Sequence, residues 1–431
     1  MLYSIIRTIY HWKFFEYFRE RIRIYKINKY RKYIPKIINR ISNQDNITVI
    51  FFVINISMWK YDGLFQEMMI HKRYRPLIIP SLGYSANEKT RLYEQQRMKK
   101  YFQKKGFPFL ASYDAKSKKW LDVRKYKPDL IFYTQPYNKN PYKKYNIEYF
   151  YKYSLFAYIP YAFWVEKDDW GYNLLFHNVA WRLFYPTNIH KKNGIRSSYV
   201  KGCNIKVTGY PMAERFLLSN TSISPWKIKN PTIKRVIWAP HHSITDGLLN
   251  YSTFLEIAES MQQLAEKYNK QIQFAFKPHP TLKNKLYKLA EWGIKKTDDY
   301  YDYWKNSPNT ILADSDYVDL FLTSDAMIHD CSSFSAEYLY TRRPVMFLTK
   351  PDHQDYLCEF GKKCFDMHYK GTNIIDIIEF LEKVVIKGND PMADMRNIFF
   401  KEYLTFNNGN ISEKIFNEIN KSLRENGNRI C

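Results

Sequence analysis

The chain has 431 residues and a mass of 52.2 kDa, which is enough for two domains of ordinary size. Hydrophobic residues make up 45% and charged residues 25%, a balance that excludes a disordered, collagenous or multi-span membrane protein. Because 67 Lys and Arg face 42 acidic residues, the net charge of +25 favours anionic partners: nucleic acid, anionic lipid or phosphorylated substrates. The five cysteines, an odd number without paired spacing, argue against a disulfide framework or zinc site and indicate a reducing cytosol.

Residues 1–44 form a basic, aromatic helical segment, called here the N-terminal segment. Its first forty residues carry eleven Lys and Arg against two Glu. Arg7, Lys13 and Glu16 interrupt the apolar stretch 1–18 well short of the ~20 residues that span a bilayer. No small-residue cleavage site follows, so the stretch is not a signal peptide. Such a segment suits the surface of an anionic membrane. A solvated helix packed on the body of the protein and an RNA-binding arm are the alternatives.

The region 45–220 alternates predicted strands and helices, which is typical of a Rossmann-like domain. Residues 47–55 are continuously apolar and β-branched, as in a strand buried on both faces of a parallel sheet. The further predicted elements are helices over 61–72 and 87–105 and strands over 75–80, 127–133, 156–161 and 205–211.

A polar, proline-bearing linker over residues 221–231 precedes a second α/β series over 232–400. A C-terminal helix is predicted within 401–431, at residues 411–424. Two doubly wound Rossmann-like domains in tandem, with a cleft between them, predict the α/β GT-B fold. The second series has predicted strands over 235–239, 272–276, 326–329 and 344–348 and helices over 251–268, 283–292, 334–340 and 373–387.

Three polar clusters follow directly on predicted strands of the second domain. Since ligands of open α/β sheets bind outside the carboxyl ends of strands, we expect the clusters to meet at one edge. The first contains His241 and His242, the second Lys277 and His279, and the third Asp330, Ser332, Ser333 and Glu337.

These clusters carry residue types that suit phosphate chemistry. Ser332 and Ser333 lie where a strand gives way to a helix, so they are predicted either to cap that helix or to bind phosphate. Prolines on both sides of His279 fix its backbone, and Lys277 adds a cation. An imidazole there transfers protons or, when charged, stabilises a phosphoryl oxygen; a purely structural role is the alternative.

Carboxylates are concentrated in the window 301–340, which is acidic in an otherwise basic chain. Clustered carboxylates suit Mg²⁺, which favours oxygen ligands. No tight metal-ligand spacing recurs, so helix-start acids on a solvated face are favoured and no metal ligand is assigned. The window contains Asp302, Asp314, Asp316, Asp319, Asp325, Asp330 and Glu337.

The second domain resembles the CDP-glycerol glycerophosphotransferases, which build teichoic acids and related phosphate-containing capsules. The resemblance covers residues 230–350. It is carried by the Ala-Pro strand end before His241, by the His-Pro of residues 279–280, and by the run from Asp319 to Ser333. Glu337 and the Arg-Pro of residues 343–344, followed by an apolar strand, complete it.

The resemblance implies roles for individual residues. It places His279 in the active site, Ser332 and Ser333 on the pyrophosphate, and Asp330 and Glu337 near the nucleotide. Lys277, His241 and Arg343 are counted with the substrate-binding residues.

Two departures from the family pattern concern Cys331, which stands in place of a tyrosine, and a first-domain histidine motif that is absent. His177, near Arg182, is the candidate replacement for that histidine. His241 and His242, where the family often carries Thr and Arg, are the alternative source of the imidazole. His279, His242 and His177 are therefore the predicted catalytic residues.

The expected reaction transfers glycerol- or ribitol-phosphate from a CDP-linked donor to a hydroxyl of a glycan or lipid-linked acceptor and releases CMP. No cofactor is expected to be required, although Mg²⁺ is an open possibility. The resemblance also implies a cytoplasmic protein attached peripherally to the inner face of the cell membrane.

Two other functions are the alternatives to this reaction. One is a GT-B glycosyltransferase that uses a nucleotide-sugar, and the other is a non-enzymatic, basic nucleic-acid-binding protein. No nucleic-acid partner is expected, because no RNA-binding motif appears.

Overall fold

The computed structural model describes residues 2–82, 87–167, 169–218, 224–245, 251–313, 317–405 and 410–424, with side chains from residue 16 onward except at 169 and 170. Asp314, Asp316 and part of the predicted linker therefore lie outside the described residues. The chain divides into two compact units. The first comprises Met1–Ala162, Asp169–Pro211 and Asn410–Cys431, and the second comprises Phe163–Asp168 and Met212–Gly409.

Each unit contains a six-stranded sheet in which every neighbouring pair of strands is parallel. Strands are numbered in chain order, and a short antiparallel hairpin, β3–β4, belongs to neither sheet. The sheet of the first unit has the order β2-β1-β5-β6-β7-β8, and that of the second has the order β11-β10-β9-β12-β13-β14. The strands are β1 Ile47–Val53, β2 Tyr74–Pro80, β3 Tyr113–Asp114, β4 Lys119–Trp120, β5 Leu130–Tyr133, β6 Leu155–Tyr158, β7 Arg182–Tyr185, β8 Ile205–Val207, β9 Lys234–Ala239, β10 Ile272–Phe276, β11 Thr310–Leu312, β12 Ala326–His329, β13 Val345–Leu348 and β14 Tyr369–Gly371.

Helices connect the strands of both sheets. The α-helices are α1 Leu2–Arg31, α2 Ile34–Ser42, α3 Asp62–Ile70, α4 Glu88–Lys104, α5 Leu175–Val179, α6 Asn188–Ser197, α7 Ala213–Leu217, α8 Phe254–Lys267, α9 Leu282–Leu286, α10 Gly293–Asn306, α11 Val318–Thr323, α12 Phe334–Glu337, α13 Glu359–Asp366, α14 Ile374–Glu379, α15 Ala393–Phe399 and α16 Ile411–Arg424. Short 3₁₀ turns occupy Ile56–Met58, Val123–Tyr126, Lys143–Tyr145, Ile147–Tyr149, Asp169–Tyr172, Tyr338–Thr341 and His353–Tyr356, and π-helical stretches continue α14 and α15 over Phe380–Ile386 and Phe400–Leu404.

Apolar strand residues form the core of each unit, as the uninterrupted hydrophobic runs predict. In the first unit, Phe51 of β1 stacks on Phe132 of β5 with ring centroids 4.8 Å apart. In the second, Trp238 of β9 packs against Phe254 and Phe276 with centroids 5.7 and 5.0 Å away. These buried aromatic contacts hold the strands that carry the polar loops described below.

The N-terminal segment is part of the first unit. Ile27 and Ile41 of α1 and α2 are fully buried. Arg31 donates to the carbonyl of Asn178 at 2.9 Å, and Arg40 forms an ion pair with the buried Asp129 at 2.8 Å. None of the described helices combines the length and hydropathy needed to cross a bilayer.

The two parallel sheets confirm the predicted GT-B class, but some elements were predicted wrongly. The helix predicted over 283–292 ends at Leu286, and α10 begins only at Gly293, whose φ of +60° suits glycine. Strands β7, β11 and β14, of three or four residues each, were missed. Cys203 is disulfide-bonded, which the cysteine spacing did not predict, whereas the buried Cys331, Cys358 and Cys364 are free.

Candidate active site

Three loops of the second unit meet at the carboxyl edge of its sheet, as predicted. Strand β9 lies between β10 and β12. Trp238 pairs in register with Phe276 on one side and Ile328 on the other, so the three strands end nearly level. The loops that follow carry His241 and His242, Lys277 and His279, and Asp330 with Ser332 and Ser333.

His241, His242 and His279 form a compact cluster, called here the histidine cluster. One ring nitrogen of each lies within 4.8 Å of one from each of the others. The ring of His242 lies 4.2 Å from both other rings, and His241 and His279 are 5.4 Å apart, measured between centroids. His241 is buried and the other two are half-buried. The fold thus places three imidazoles, separated by up to 38 positions in the sequence, next to one another, as expected from the strand ends that they follow.

The three loops share a local turn in which an imidazole caps the backbone two residues later. The amides of Ser243, Thr281 and Cys331 donate to the Nδ1 atoms of His241, His279 and His329 at 3.3, 3.2 and 3.2 Å respectively. The hydroxyls of Ser243 and Thr281 also contact the same Nδ1 atoms, at 2.9 and 3.0 Å. This repeated turn fixes the orientation of each ring and leaves Nε2 of His241 and His279 for other partners.

Burial keeps the histidine cluster uncharged at neutral pH. Desolvation lowers the pKa of His241 to about 2, and that of His279 to about 3, with further lowering by neighbouring imidazoles. The pKa of His242 is also lowered, mainly by desolvation. The ammonium of Lys285 in α9 lowers the pKa of all three. In the unliganded protein, His279 therefore acts as a neutral imidazole and not as the charged group considered above.

Asp330 ties the first and third loops together. Its buried carboxylate accepts the amide of His241 at 2.5 Å and both the amide and hydroxyl of Thr253 at 2.7 and 3.1 Å. Burial raises its pKa to about 6, although these hydrogen bonds oppose the shift. The carboxylate thus positions the histidine loop and the start of α8, with its oxygens engaged by protein donors.

Ser332 and Ser333 are half-exposed at the start of α12. Ser333 is the N-cap residue, but its side chain forms no capping hydrogen bond, so the capping prediction is wrong for it. Its φ and ψ of −66° and −33° are already helical, which is not the extended conformation of a capping side chain. Within the described ranges, neither hydroxyl has a recorded hydrogen bond, which leaves both available to a ligand.

Three further residues surround these loops. Lys277 is buried, and its charge contributes to the lowered pKa of His279. Cys331 is a buried thiol whose Sγ lies 3.2 Å from the carbonyl of Ala239, and desolvation raises its pKa well above the usual range. Glu337 is buried one turn beyond Ser333 and accepts a hydrogen bond from the hydroxyl of Tyr317.

Arg343 is not brought into this cluster, and His177 belongs to the other unit. Arg343 precedes β13 and donates to the carbonyl of Ser324, which precedes β12. Because these strands are parallel, Arg343 lies at the amino edge of the sheet, opposite the histidines. His177 belongs to α5 of the first unit, where burial against Tyr158 and Phe176 lowers its pKa to about 3.

The cluster has ligand chemistry for either a metal ion or an anion. Three imidazoles suit Zn²⁺, whereas Mg²⁺ prefers oxygen ligands. Lys277 and Lys285 are nearby cations that oppose a dication and favour phosphate. Among the described residues, the carboxylates of the acidic window form no shared metal site. Asp325 precedes β12 and accepts a hydrogen bond from the amide of Arg235, whereas Asp330 lies at the other end of that strand.

Sequence reasoning missed Ser243, Thr281 and Lys285. The first two follow their histidines at the same spacing of two residues, so a repeated His-x-Ser/Thr pattern after a strand was a signal for them. Lys285 had no signal, because its proximity to the histidines depends on where α9 begins after the His-Pro turn.

Two parallel six-stranded sheets, the second with a polar cluster beyond its carboxyl edge, define the GT-B class of fold. Over residues 180–421, the chain matches the model of the family CDP-glycerol:poly(glycerophosphate) glycerophosphotransferase. This match covers more than half of the chain and the entire histidine cluster, so the chain belongs to that family of transferases. Among curated proteins, no relative matches.

Solved structures share the fold at low sequence identity. A variant of the wall teichoic acid polymerase TagF has a TM-score of 0.56 at 14% identity, covering 94% of this chain and 98% of that one. UDP-GlcNAc 2-epimerase from Neisseria meningitidis, bound to UDP-GlcNAc, has a TM-score of 0.55 at 17% identity, covering 87% and 99%. MnaA of S. aureus with UDP has a TM-score of 0.55 at 14% identity, covering 88% and 97%.

Proposed function

We propose that this protein transfers an alditol phosphate, such as glycerol- or ribitol-phosphate, from a CDP-linked donor to a hydroxyl of a cell-surface glycan or lipid-linked acceptor. CMP is the expected leaving group, and the product belongs to a teichoic-acid-like or capsular polymer. Membership of the glycerophosphotransferase family supports the reaction class. The observation that carries the proposal is the convergence of three imidazoles, two lysines and two unbonded serine hydroxyls at one sheet edge.

The donor diphosphate is proposed to bind at the third loop. Among the described residues, the Ser332 and Ser333 hydroxyls have no hydrogen-bond partner. Hydroxyl groups of this kind donate hydrogen bonds to phosphate oxygens. Lys277 and Lys285 supply positive charge beside the same loops. Phosphoryl transfer depends mostly on positioning and on stabilisation of charge, which these groups provide.

The acceptor hydroxyl oxygen attacks the β-phosphorus, and the bond from that phosphorus to the oxygen of the α-phosphate breaks. CMP leaves with that oxygen, and a phosphodiester forms. We assign the acceptor proton to His242, because its half-buried ring lies between the other two imidazoles, 4.2 Å from each. An anionic donor beside the imidazole raises its pKa, which prepares it to take the proton. His177 is the second candidate for this base, and His279 is assigned to the phosphoryl oxygens.

No metal ion is proposed to be required. The charge stabilisation that Mg²⁺ supplies to many diphosphate substrates is assigned here to Lys277, Lys285 and the imidazole N–H groups. Turnover that is unchanged after treatment with EDTA is the expected result.

The N-terminal segment is proposed to bind the anionic cytoplasmic face of the cell membrane. On α1, the side chains of Tyr17, Phe18, Ile22 and Tyr25 are exposed together with Arg19 and Arg21. Aromatic and cationic side chains on one exposed stretch are typical of an interfacial helix. This surface would bring the enzyme to a lipid-linked acceptor.

A panel of donors tests the proposal. Purified protein is incubated with CDP-glycerol, CDP-ribitol and UDP-N-acetylglucosamine, with bacterial membranes as the source of acceptor, and the released nucleotide is identified. We expect CMP from a CDP-linked alditol and no release from the UDP-sugar. Release of UDP would instead support the glycosyltransferase alternative, and release of neither nucleotide would contradict both.

A further inference from the structure

We infer that Ser243 fixes His241 as the tautomer with its proton on Nε2, so that this neutral imidazole is a permanent hydrogen-bond donor at the sheet edge. Ser243 is thereby a positioning residue, and the ligand of the Nε2–H group is a phosphoryl oxygen. The choice of phosphoryl oxygen rests on the proposed function, whereas the tautomer rests on the hydrogen bonds alone.

The proton of the Ser243 hydroxyl has one acceptor. The amides of Tyr251 and Ser252 donate to Ser243 Oγ at 3.0 and 3.1 Å. A hydroxyl oxygen accepts two hydrogen bonds and donates one. With both acceptor positions used by amides that cannot reverse direction, the hydroxyl proton points to Nδ1 of His241, which lies 2.9 Å away.

A second donor reinforces this assignment. The amide of Ser243 also points to Nδ1 of His241, at 3.3 Å. An Nδ1 atom that receives donors carries a lone pair, so the single proton of the neutral ring lies on Nε2. The ring is neutral at working pH, because burial lowers the pKa of His241 to about 2, with further lowering by the two neighbouring imidazoles and by Lys285.

The backbone around the ring is fixed as well. The amide of His241 donates to Asp330, and the carbonyl of His241 accepts the Ser252 hydroxyl at 3.0 Å. Within the described ranges, Nε2 of His241 has no recorded hydrogen-bond partner, and its ring lies beside those of His242 and His279. An N–H group held in place without a partner, close to Lys285, has the properties of an oxyanion donor.

The neutral tautomer has a mechanistic advantage over a charged ring. A neutral imidazole donates a hydrogen bond to a developing charge without first taking up a proton, so its contribution does not change with pH near neutrality. A metal ion would need the opposite tautomer, with the Nε2 lone pair free to coordinate it. The hydrogen bonds to Ser243 therefore select the anion-binding function of the histidine cluster over the metal-binding one.

Nitrogen NMR of the full chain, labelled with ¹⁵N-histidine, tests the tautomer directly. Loss of signals in the His241→Gln variant assigns the resonances of His241. We expect Nε2 to carry the proton and Nδ1 to resonate where unprotonated ring nitrogens do. In Ser243→Ala the two tautomers should mix, while Ser243→Thr, which keeps the hydroxyl, should restore the wild-type pattern.

A proton on Nδ1 in the wild-type protein would overturn the tautomer assignment, and an unchanged spectrum in Ser243→Ala would overturn the role of the Ser243 hydroxyl in fixing it. Calorimetric titration with CDP then tests the ligand: we expect Ser243→Ala to bind CDP at least about tenfold more weakly and Ser243→Thr to bind it normally. Unchanged CDP affinity with the expected spectrum would overturn the oxyanion role alone. Because the spectrum is recorded without substrate, its result does not depend on whether the proposed transfer reaction is correct.

Discussion

At the level of single residues, burial determines what the histidine cluster does. Three imidazoles with lowered pKa values are neutral donors and acceptors until an anion arrives. The sequence identified these histidines, because rigid prolines and strand ends pointed to them, but it left open whether His279 is charged. That question depends on desolvation and on Lys285, neither of which is visible before the chain folds.

The first prediction concerns His279, whose ring lies beside those of His241 and His242. His279→Ala should lower turnover by at least about 100-fold, the usual scale for loss of one hydrogen-bond donor to a developing oxyanion. Its melting temperature should stay close to that of the wild type, because the ring is only half-buried. His71→Ala, in the first unit, removes a histidine outside the cluster and should retain activity. A folded His279→Ala protein with near-normal turnover would show that the assignment is wrong.

The second prediction concerns the serine pair. Replacing Ser332 and Ser333 with alanine removes two donors worth about 1.5–3 kcal/mol each to a charged ligand. Affinity for CDP should therefore fall well over tenfold and affinity for CMP less, since CMP lacks the β-phosphate. Because Ser333 forms no capping bond, the melting temperature should barely change.

Ser335→Ala is the matched control for the serine pair. Its buried hydroxyl lies in the same helix and donates to the carbonyl of Cys331 at 3.3 Å, so this variant should lose stability and keep its CDP affinity. Calorimetric titration of CDP and CMP into each protein makes the comparison. Equal losses for CDP and CMP in the serine-pair variant would contradict a role at the β-phosphate.

At the level of elements, strands with continuous apolar runs were predictable, and the short strands β11 and β14 were not. The apolar runs of β1, β9 and β10 are long enough to show burial on both faces. In contrast, β11 and β14 at the sheet edges have only three residues each, and their pairing with β10 and β13 depends on contacts far apart in sequence. The loops that carry the candidate site follow predicted strands, which is why their meeting at one sheet edge was predictable.

The third prediction concerns the N-terminal segment. Deleting it would expose buried residues such as Ile27 and Ile41, so charge reversal is the sharper test. Arg19→Glu with Arg21→Glu should weaken binding to phosphatidylserine vesicles by more than about tenfold, since each cation near the surface contributes about 1 kcal/mol. Vesicle sedimentation measures this binding.

The matched control reverses two exposed lysines on α4 of the same unit, Lys99→Glu and Lys100→Glu. It makes the same change in net charge and should leave vesicle binding largely intact. If the two double variants lost affinity equally, general basicity and not the N-terminal segment would account for membrane binding.

At the scale of the whole molecule, buried histidines should make the fold sensitive to acid. The pKa is lowered at seven of the ten histidines: His177, His241, His242, His279, His329, His353 and His368. Below about pH 6.5 the unfolded chain protonates these rings and the folded chain does not, so stability falls as pH falls. Asp330, whose pKa is raised to about 6, and Asp129, whose pKa is also raised by burial, act in the opposite direction but are two groups against seven.

The fourth prediction is that the melting temperature is more than about 10 °C lower at pH 5 than at pH 7, since each such histidine contributes about 1.4 kcal/mol per pH unit. Differential scanning calorimetry at constant ionic strength measures it. In His329→Gln, which lacks one buried ring, the slope of stability against pH should be smaller. Identical melting temperatures at the two pH values would contradict the burial of these imidazoles in neutral form.

The sequence predicted the class of the whole molecule but not the grouping of all its site residues. Alternating strands and helices indicated two parallel sheets, and both are present. Arg343 was placed with the site because the family resemblance extends along the chain from Ser333 to it, yet it precedes a parallel strand and therefore lies at the opposite edge. Distance along the chain is a poor guide wherever a whole strand or crossover separates two residues.

The proposed reaction transfers a phosphoryl group by attack at phosphorus, whereas a glycosyltransferase would transfer its group by attack at carbon. CDP-glycerol labelled with ³²P at the phosphate next to glycerol distinguishes the two most directly, with bacterial membranes as acceptor and His279→Ala as the inactive control. We expect the label to enter the polymer while unlabelled CMP is released, because the bond between the two phosphates breaks. Label released as CDP, with glycerol alone entering the polymer, would contradict the account.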